Sequence, residues 1–318
     1  MRARTVRRGV YEVYGLRFRS SIPLASLRAT ERRYADAALL HGSPARFARV
    51  WSRLAPGAES GQWFHHALLP DGARYLRWSG LAEFLVGAGG RTVHCHPLAE
   101  AAFPTAFETY LLGQVLSFVL IARGIEPLHA TTVVVGDEAI AFVGDCGYGK
   151  STLGAAFLQA GDRLLTDDLL VVKREKGRFL ASPGPPRVKL FPETAAALLG
   201  NGVRGEPMNA LTPKLVIPLA PEARAPRAVP LRAIYVLTPP SRRPLQRIVI
   251  RPLPPRRAFV ELTRNTFNAI VSDPRRLARQ FDVAARLSAA IPVRALGMPR
   301  GLERLSEVRE TILSDLVA

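Results

Sequence analysis

Residues 139–168 decide the fold. They run Ala139-Ile140-Ala141-Phe142-Val143, then Gly144-Asp145-Cys146-Gly147-Tyr148-Gly149-Lys150-Ser151, then a segment to Ala160, then Gly161-Asp162 and Arg163-Leu164-Leu165-Thr166-Asp167-Asp168. Ala139 to Val143 reads as a strand and about Ser151 to Ala160 as a helix. Between them stands Gly-x-x-x-x-Gly-Lys-Ser, in the strand-then-helix context that gives the match meaning. Glycines let a backbone curl until its N–H groups point at phosphate oxygens. The helix N-terminus adds a partial positive charge. The spacing therefore predicts a phosphate cradle over Gly144, Asp145, Cys146, Gly147, Tyr148, Gly149, Lys150, Ser151 and Thr152. Lys150 contacts the β/γ-phosphates and Ser151 ligates Mg²⁺. The competing reading is a glycine-rich turn with a chance lysine. Cys146 is either a small residue in a tight place or a redox-sensitive thiol, since helix N-termini lower thiol pKa values.

Downstream, Asp167 and Asp168 interrupt the apolar run Leu164 to Val172. Two adjacent acids are costly there if buried unpaired. Phosphoryl transfer explains them, because it needs a Mg²⁺ ligand and a residue that orients or deprotonates the nucleophile. Neighbouring strand residues point to opposite faces, so a turn or bulge must bring both acids to one site. An exposed turn between two short strands is the alternative. Upstream, His129 precedes the β-branched run Thr131 to Val135, as a structural hydrogen-bonder or a member of the site. His94-Cys95-His96 places two histidines on one strand face, without a further ligand cluster.

Further out, residues 10–19 alternate as one strand. Short strands follow at 37–40, 62–69, 74–78, 83–86 and 91–94, and a mostly apolar helix spans 104–123 with Gly124 as its left-handed cap. After the loop region, 163–172 reads as extended and 173–178 as a charged hairpin turn. A helix opens at Pro192, strands lie at 233–237 and 247–253, and helices lie near 256–270 and 274–289. Residues 218–230 and 238–244 read as proline- and arginine-rich loops. The expected organisation is a β-rich domain over 1–125, ending in the apolar helix, and a kinase domain over 126–318.

The bulk numbers leave these readings room. Of 318 residues, 48% are hydrophobic and 22% charged, so a full core can be buried. The net charge of +18 favours an acidic partner. The basic residues are scattered rather than gathered in a stripe, and no nucleic-acid module is present, so nucleic acid is not expected. Lysine occurs only at 150, 173, 176, 189 and 214. In a chain that favours arginine, Lys189 and Lys214 are candidate phosphate contacts for their compact charge. Two cysteines make no disulfide framework and fit a cytoplasmic protein. No apolar run follows the basic Met1 to Arg8, against a signal peptide. The apolar stretch Tyr110 to Ala122 is short for a bilayer, so no membrane span is expected.

Three stretches together resemble the HPr kinase/phosphorylase family: Leu128-His129-Ala130-Thr131-Thr132-Val133, then Phe142 to Leu153, then Gly161 to Asp168. The resemblance implies a mixed α/β fold, with a phosphoenolpyruvate-carboxykinase-like P-loop kinase core beside the smaller β-rich domain. It implies ATP, Mg²⁺ and transfer to a serine hydroxyl. By resemblance Asp167 is the base, Asp168 the metal ligand beside Ser151, and His129 lies close to the chemistry with Lys150. Thr152 stands where the regulator-type enzymes carry Glu, and their C-terminal glycine-, proline- and arginine-rich signature is missing, which points away from HPr as acceptor. Tyr14-Gly15-Leu16, Ser20 to Leu24, Tyr110 to Gly113 and Arg123 to His129 look closer to the HPr-kinase-like serine kinases of ribosomal peptide pathways, lasso peptides included. The expected partner is thus a serine-bearing peptide or protein, such as a precursor peptide, with a homo-oligomer possible. The alternatives are a kinase of a small hydroxyl-bearing molecule or of an HPr-like protein, and a nucleotide-binding regulatory protein without transfer activity.

Overall fold

The computed structural model describes residues 9–54, 62–98, 104–239 and 245–317. The chain is mixed α/β and divides into two compact units, Met1–Ile125 with Pro207–Thr212, and Glu126–Glu206 with Pro213–Ala318.

The first unit is built on β1 (Gly9–Val13), β2 (Leu16–Ser20), β3 (Ala29–Thr30), β4 (Ala37–His41), α1 (Pro44–Leu54), β5 (Phe64–Leu68), β6 (Arg74–Trp78), β7 (Ala82–Val86) and β8 (Thr92–Pro97). The strands form one sheet in the order β3-β1-β2-β4-β8-β7-β6-β5. The single strand expected over 10–19 is a hairpin. Tyr14 and Gly15 both take positive φ, 56° and 73°, as a two-residue turn of the favoured hand requires. Helix α1 was not expected. It buries Phe47 against Tyr75 and Leu85.

The apolar helix runs as α2 (Pro104–Tyr110), a π-helical stretch (Leu111–Val115) and α3 (Leu116–Ala122). Gly124 closes it at φ 78°. Its N–H bonds Ile121 O, and the Ile125 N–H bonds Leu120 O, which is the paired left-handed cap. Thr105–Ala122 is long and apolar enough to cross a membrane by composition alone, longer than the stretch judged from sequence. It is 72% buried inside the protein, as a core helix is, with Phe107 stacked on Phe84.

The second unit carries β9 (Leu128–Val135), β10 (Glu138–Val143), α4 (Lys150–Gln159), β11 (Arg163–Leu170), β12 (Val172–Glu175), β13 (Arg178–Ala181), β14 (Arg187–Leu190) and α5 (Pro192–Leu199). The chain then passes through β15 (Glu206–Asn209) and continues with β16 (Thr212–Pro218), β17 (Val229–Leu237), β18 (Val249–Pro252), α6 (Pro255–Arg264), α7 (Pro274–Ala290), β19 (Val293–Gly297) and α8 (Leu305–Val317). The central sheet has the order β11-β9-β10-β17-β13-β12, with β19 beside the end of β17 and β18 beyond it. Strand β17 runs parallel to both β10 and β19.

Helices cover both faces, which is why the central strands are nearly all apolar. Alternation sorts their side chains. Ala139, Ala141 and Val143 of β10 pack with Ala258 and Leu262 of α6 and Ala284 and Leu287 of α7. Ile140 and Phe142 pack with Leu153 and Phe157 of α4 and with Val308 and Ile312 of α8. Arg276 is fully buried in α7 and pairs with the equally buried Glu126 at 2.9 Å. It also donates to the carbonyls of Phe267, Asn268 and Val271, holding the turn after α6.

Several sequence expectations need correction. The helix near 256–270 stops at Arg264, because Asn265 Nδ2 and Thr266 Oγ1 donate to the Glu261 and Thr263 carbonyls and end the ladder. The extended run 163–172 breaks after Leu170, and Val172–Glu175 pairs with β13 instead. The charged turn tightens to Lys176-Gly177, both at positive φ. Residues 240–244 of the expected loop at 238–244 lie outside the described residues.

Candidate functional site

The loop between β10 and α4 has the backbone that its glycines allow. Gly144, Gly147 and Gly149 take φ of 146°, 83° and 96°, where side chains are disfavoured. A Cβ on Gly144 would meet Leu237 O at 3.3 Å, and one on Gly149 would meet Met298 Cε at 3.0 Å. Helix α4 then begins at Lys150 and presents its N-terminus to the loop. The buried Lys150 ammonium donates to Gly144 O at 2.6 Å and Asp145 O at 3.0 Å. An ammonium has three donors, so one remains for a ligand. Burial lowers the Lys150 pKa, while the carboxylates of Asp167 and Asp168 act in the opposite direction.

Strand β11 delivers the paired carboxylates. A bulge at Leu164 to Thr166 shifts its register on β9, so that Asp167 lies opposite Thr131. Asp167 Oδ1 accepts from Thr131 Oγ1 at 2.7 Å and from Ser151 Oγ at 2.9 Å, and its Oδ2 accepts the Lys189 N–H at 3.0 Å. Asp168 takes φ 100°, a rare and strained value for a residue with a side chain. This backbone departure supplies the turn that two adjacent acids need to serve one site. The Asp168 carboxylate pairs with the Lys189 ammonium.

The two acids are pushed apart in proton affinity. Burial, with the neighbouring Asp168 charge, raises Asp167 above the ordinary carboxylate range. Burial acts the same way on Asp168, but the Lys189 ammonium and its hydrogen bond outweigh it and hold Asp168 below that range. His129 lies on β9, its ring edge-on to Phe267 at 5.4 Å. Burial, then Lys150, lower its pKa to about 4, so it is neutral at pH 7. Lys189 and Lys214 also act on it. Three of the five lysines thus converge here. Strands β14 and β16 are paired, and the Lys214 ammonium sits 5.2 Å over the exposed Phe191 ring.

Two clefts open on the other flank of the loop, at the carboxyl ends of the parallel strands, where ligands of open α/β sheets bind. One lies on the α4 and α8 side, between Gly147, Gly149 and Thr152 of the loop and helix and Met298, Leu302 and Leu305 beyond β19. The other lies on the α6 side, between Gly144 and Asp145 and Glu261, Arg264 and Asn265. Tyr148 borders both.

The structure therefore brings Lys150, Ser151, Asp167 and Asp168 together, with His129 within electrostatic reach and Thr152 on the far wall. Cys146 is exposed in the loop and Cys95 is buried. His96 Nδ1 meets the Glu83 carboxylate at 3.0 Å, and among the described residues no group of three His, Cys, Asp or Glu could hold a metal ion. Mg²⁺ needs no such cage, since it takes one or two protein oxygens beside phosphates and water. The Ser151 hydroxyl beside the Asp167–Asp168 pair fits that demand. The reading from sequence missed Thr131 and the Lys189 backbone N–H as partners of Asp167. Thr131 was accessible, because it shares a strand face with His129 at spacing two; the N–H was not.

No family model matches the chain, and no curated protein matches it in sequence. Among solved structures it is similar to that of the HPr(Ser) kinase/phosphatase from Coxiella burnetii, at 16% identity and a TM-score of 0.32, over 59% of this chain and 97% of that one.

Proposed function

We propose that the second unit is an ATP-dependent phosphotransferase of HPr-kinase type that moves the γ-phosphoryl group to a serine hydroxyl of a peptide or protein. The observation that carries this reading is the Ser151–Asp167 contact, which ties the glycine-rich loop directly to the paired carboxylates. A phosphate cradle alone would serve binding; a cradle joined to two acids of divergent proton affinity serves transfer.

The residues divide the work. The backbone N–H groups at the start of α4 and the third Lys150 donor hold the phosphates. Ser151 Oγ donates its hydrogen to Asp167 and so would keep its lone pairs for Mg²⁺, and Asp168, held anionic by Lys189, would be the second ligand. When bound there, Mg²⁺ would neutralise charge on the phosphate oxygens. An ionised carboxylate offers about four lone-pair sites. Thr131, Ser151 and the Lys189 N–H occupy three on Asp167, and the remaining one accepts the proton of the attacking hydroxyl. The hydroxyl oxygen bonds to the γ-phosphorus, the bond to the β–γ bridging oxygen breaks, and ADP leaves. His129, neutral, borders the acceptor side. ATP supply places such an enzyme in the cytoplasm.

The acceptor belongs on the β9–β11 flank, where Lys214 over the exposed Phe191 ring forms a basic, aromatic rim. That rim and the resemblance carried by Arg123 to His129 support a precursor peptide as acceptor. Incubation with γ-labelled ATP, Mg²⁺ and serine-bearing peptides tests the reading. Label is expected on serine, falling by about a hundredfold or more in Lys150→Ala, as loss of a charge-stabilising contact requires. Undiminished labelling by Lys150→Ala refutes it, and binding of ATP without any transfer favours the regulatory alternative.

A further inference from the structure

We propose that the outer face of α6 and α7 docks on an anionic lipid bilayer and holds the second unit at a membrane surface without a span. Vesicle binding and phosphotransfer are separate properties, so either can fail without the other.

The face is apolar where it meets water. Leu277 and Phe281 lie four residues apart on α7 and so share one side of it, and they are 52% and 63% exposed. The Phe281 ring stands edge-on to Phe259 of α6 at 4.9 Å, which joins the two helices into one ridge. Val260 of α6 and Ile270 of the turn between the helices are exposed as well. Large apolar side chains gathered in the open mark an interaction surface.

Charge names the partner. Residues 255–290 hold seven arginines and three acids. The acids are all engaged: Glu261 with Arg264, Asp282 with Arg286, and Asp273 with the Arg276 N–H at the start of α7. Arg276 and Arg279 are held by Glu126. Arg256, Arg257 and Arg275 are exposed and have no carboxylate partner among the described residues. Arg256, Val260 and Arg264 follow one another at four-residue spacing, so guanidinium groups flank an apolar side chain. A guanidinium fork matches the geometry of a lipid phosphate. Phenylalanine and leucine beside it suit the boundary between headgroups and acyl chains. A second copy of this face would set arginine against arginine. An acidic peptide helix needs a groove for its anchors. Leu277 and Phe281 project instead, and they line neither cleft beside the loop. A bilayer accepts a projecting ridge.

Co-sedimentation of the full chain with phosphatidylcholine vesicles containing about one-quarter phosphatidylglycerol tests this. Binding is expected to be at least about tenfold stronger than to pure phosphatidylcholine, and to weaken with salt. Leu277→Ser/Phe281→Ser leaves the charge unchanged and should lower the partition coefficient about tenfold or more. Arg256→Gln/Arg257→Gln/Arg275→Gln should do the same. Arg46→Gln/Arg49→Gln/Arg53→Gln removes three exposed arginines from α1 and should stay within about twofold. Circular dichroism checks that each variant is folded. No binding to the anionic vesicles, binding that survives the serine variant, or equal losses in the two arginine variants overturns the assignment. So does a dimer that the serine variant converts to a monomer in sedimentation velocity, or capture of a polyglutamate peptide with no binding to vesicles.

Discussion

Asp168 shows what a residue can and cannot disclose. Its charge was visible as a polar break in the run Leu164 to Val172, but its φ of 100° was not, since nothing in Thr-Asp-Asp-Leu encodes a left-handed backbone. Nor was its division of labour with Asp167, which depends on Lys189, 21 residues on. The only sequence clue to Lys189 was the scarcity of lysine. Because the Lys189 ammonium is the chief influence holding Asp168 down, Lys189→Met should raise the Asp168 proton affinity. The acid limb of the transfer rate should then move to higher pH; a pH profile with an unmoved limb contradicts the assignment. Asp167→Asn places an amide where three donors converge. It should cost about 1–3 kcal/mol of stability and nearly all transfer, measured by denaturant titration beside the labelling assay.

At the scale of elements, the alternating and β-branched runs of β9 and β10 and the helix after the loop were legible, because burial on both sheet faces leaves a dense apolar signature. The α1 helix was legible too and overlooked: Phe47, Val50, Trp51 and Leu54 recur at helical spacing. The end of α6 was not, since it is decided by side chains turning back on Glu261 and Thr263 carbonyls. Packing makes a sharp demand where α4 crosses β9. A Cβ on Gly154 would lie 2.6 Å from Thr131 Cγ2. Gly154→Ala should therefore lower stability by about 1–3 kcal/mol despite alanine's better helix propensity, and displace the hydroxyl that bonds Asp167. A denaturation midpoint equal to or above the parent would contradict that packing. In α7, Arg276→Met leaves the buried Glu126 with only the half-exposed Arg279, and removes a donor from the carbonyls of Phe267, Asn268 and Val271. It should cost about 3–5 kcal/mol, whereas Arg286→Met, on an exposed pair, should cost under about 1 kcal/mol.

Over the whole molecule, each unit holds a half-buried neutral histidine. Burial, backed by Arg74, lowers His66 to about 4, and burial, backed by Lys150, does the same to His129. The unfolded chain takes up these protons near pH 6.5 and the folded one only near 4, so stability should fall as pH drops between those values. Thermal midpoints across that window should decline less steeply in His66→Gln; an unchanged slope contradicts the account.

The central claim is that the glycine-rich loop and the carboxylates of β11 act on one Mg²⁺–nucleotide, and calorimetric titration of ATP with and without Mg²⁺ tests it most directly. The unaltered protein is expected to bind ATP at least about tenfold more tightly when Mg²⁺ is present. The Asp167→Asn/Asp168→Asn double variant, shown folded by circular dichroism, should lose that enhancement while still binding tripolyphosphate. Mg²⁺-independent binding by the unaltered protein, or an enhancement that survives in the double variant, would contradict the account.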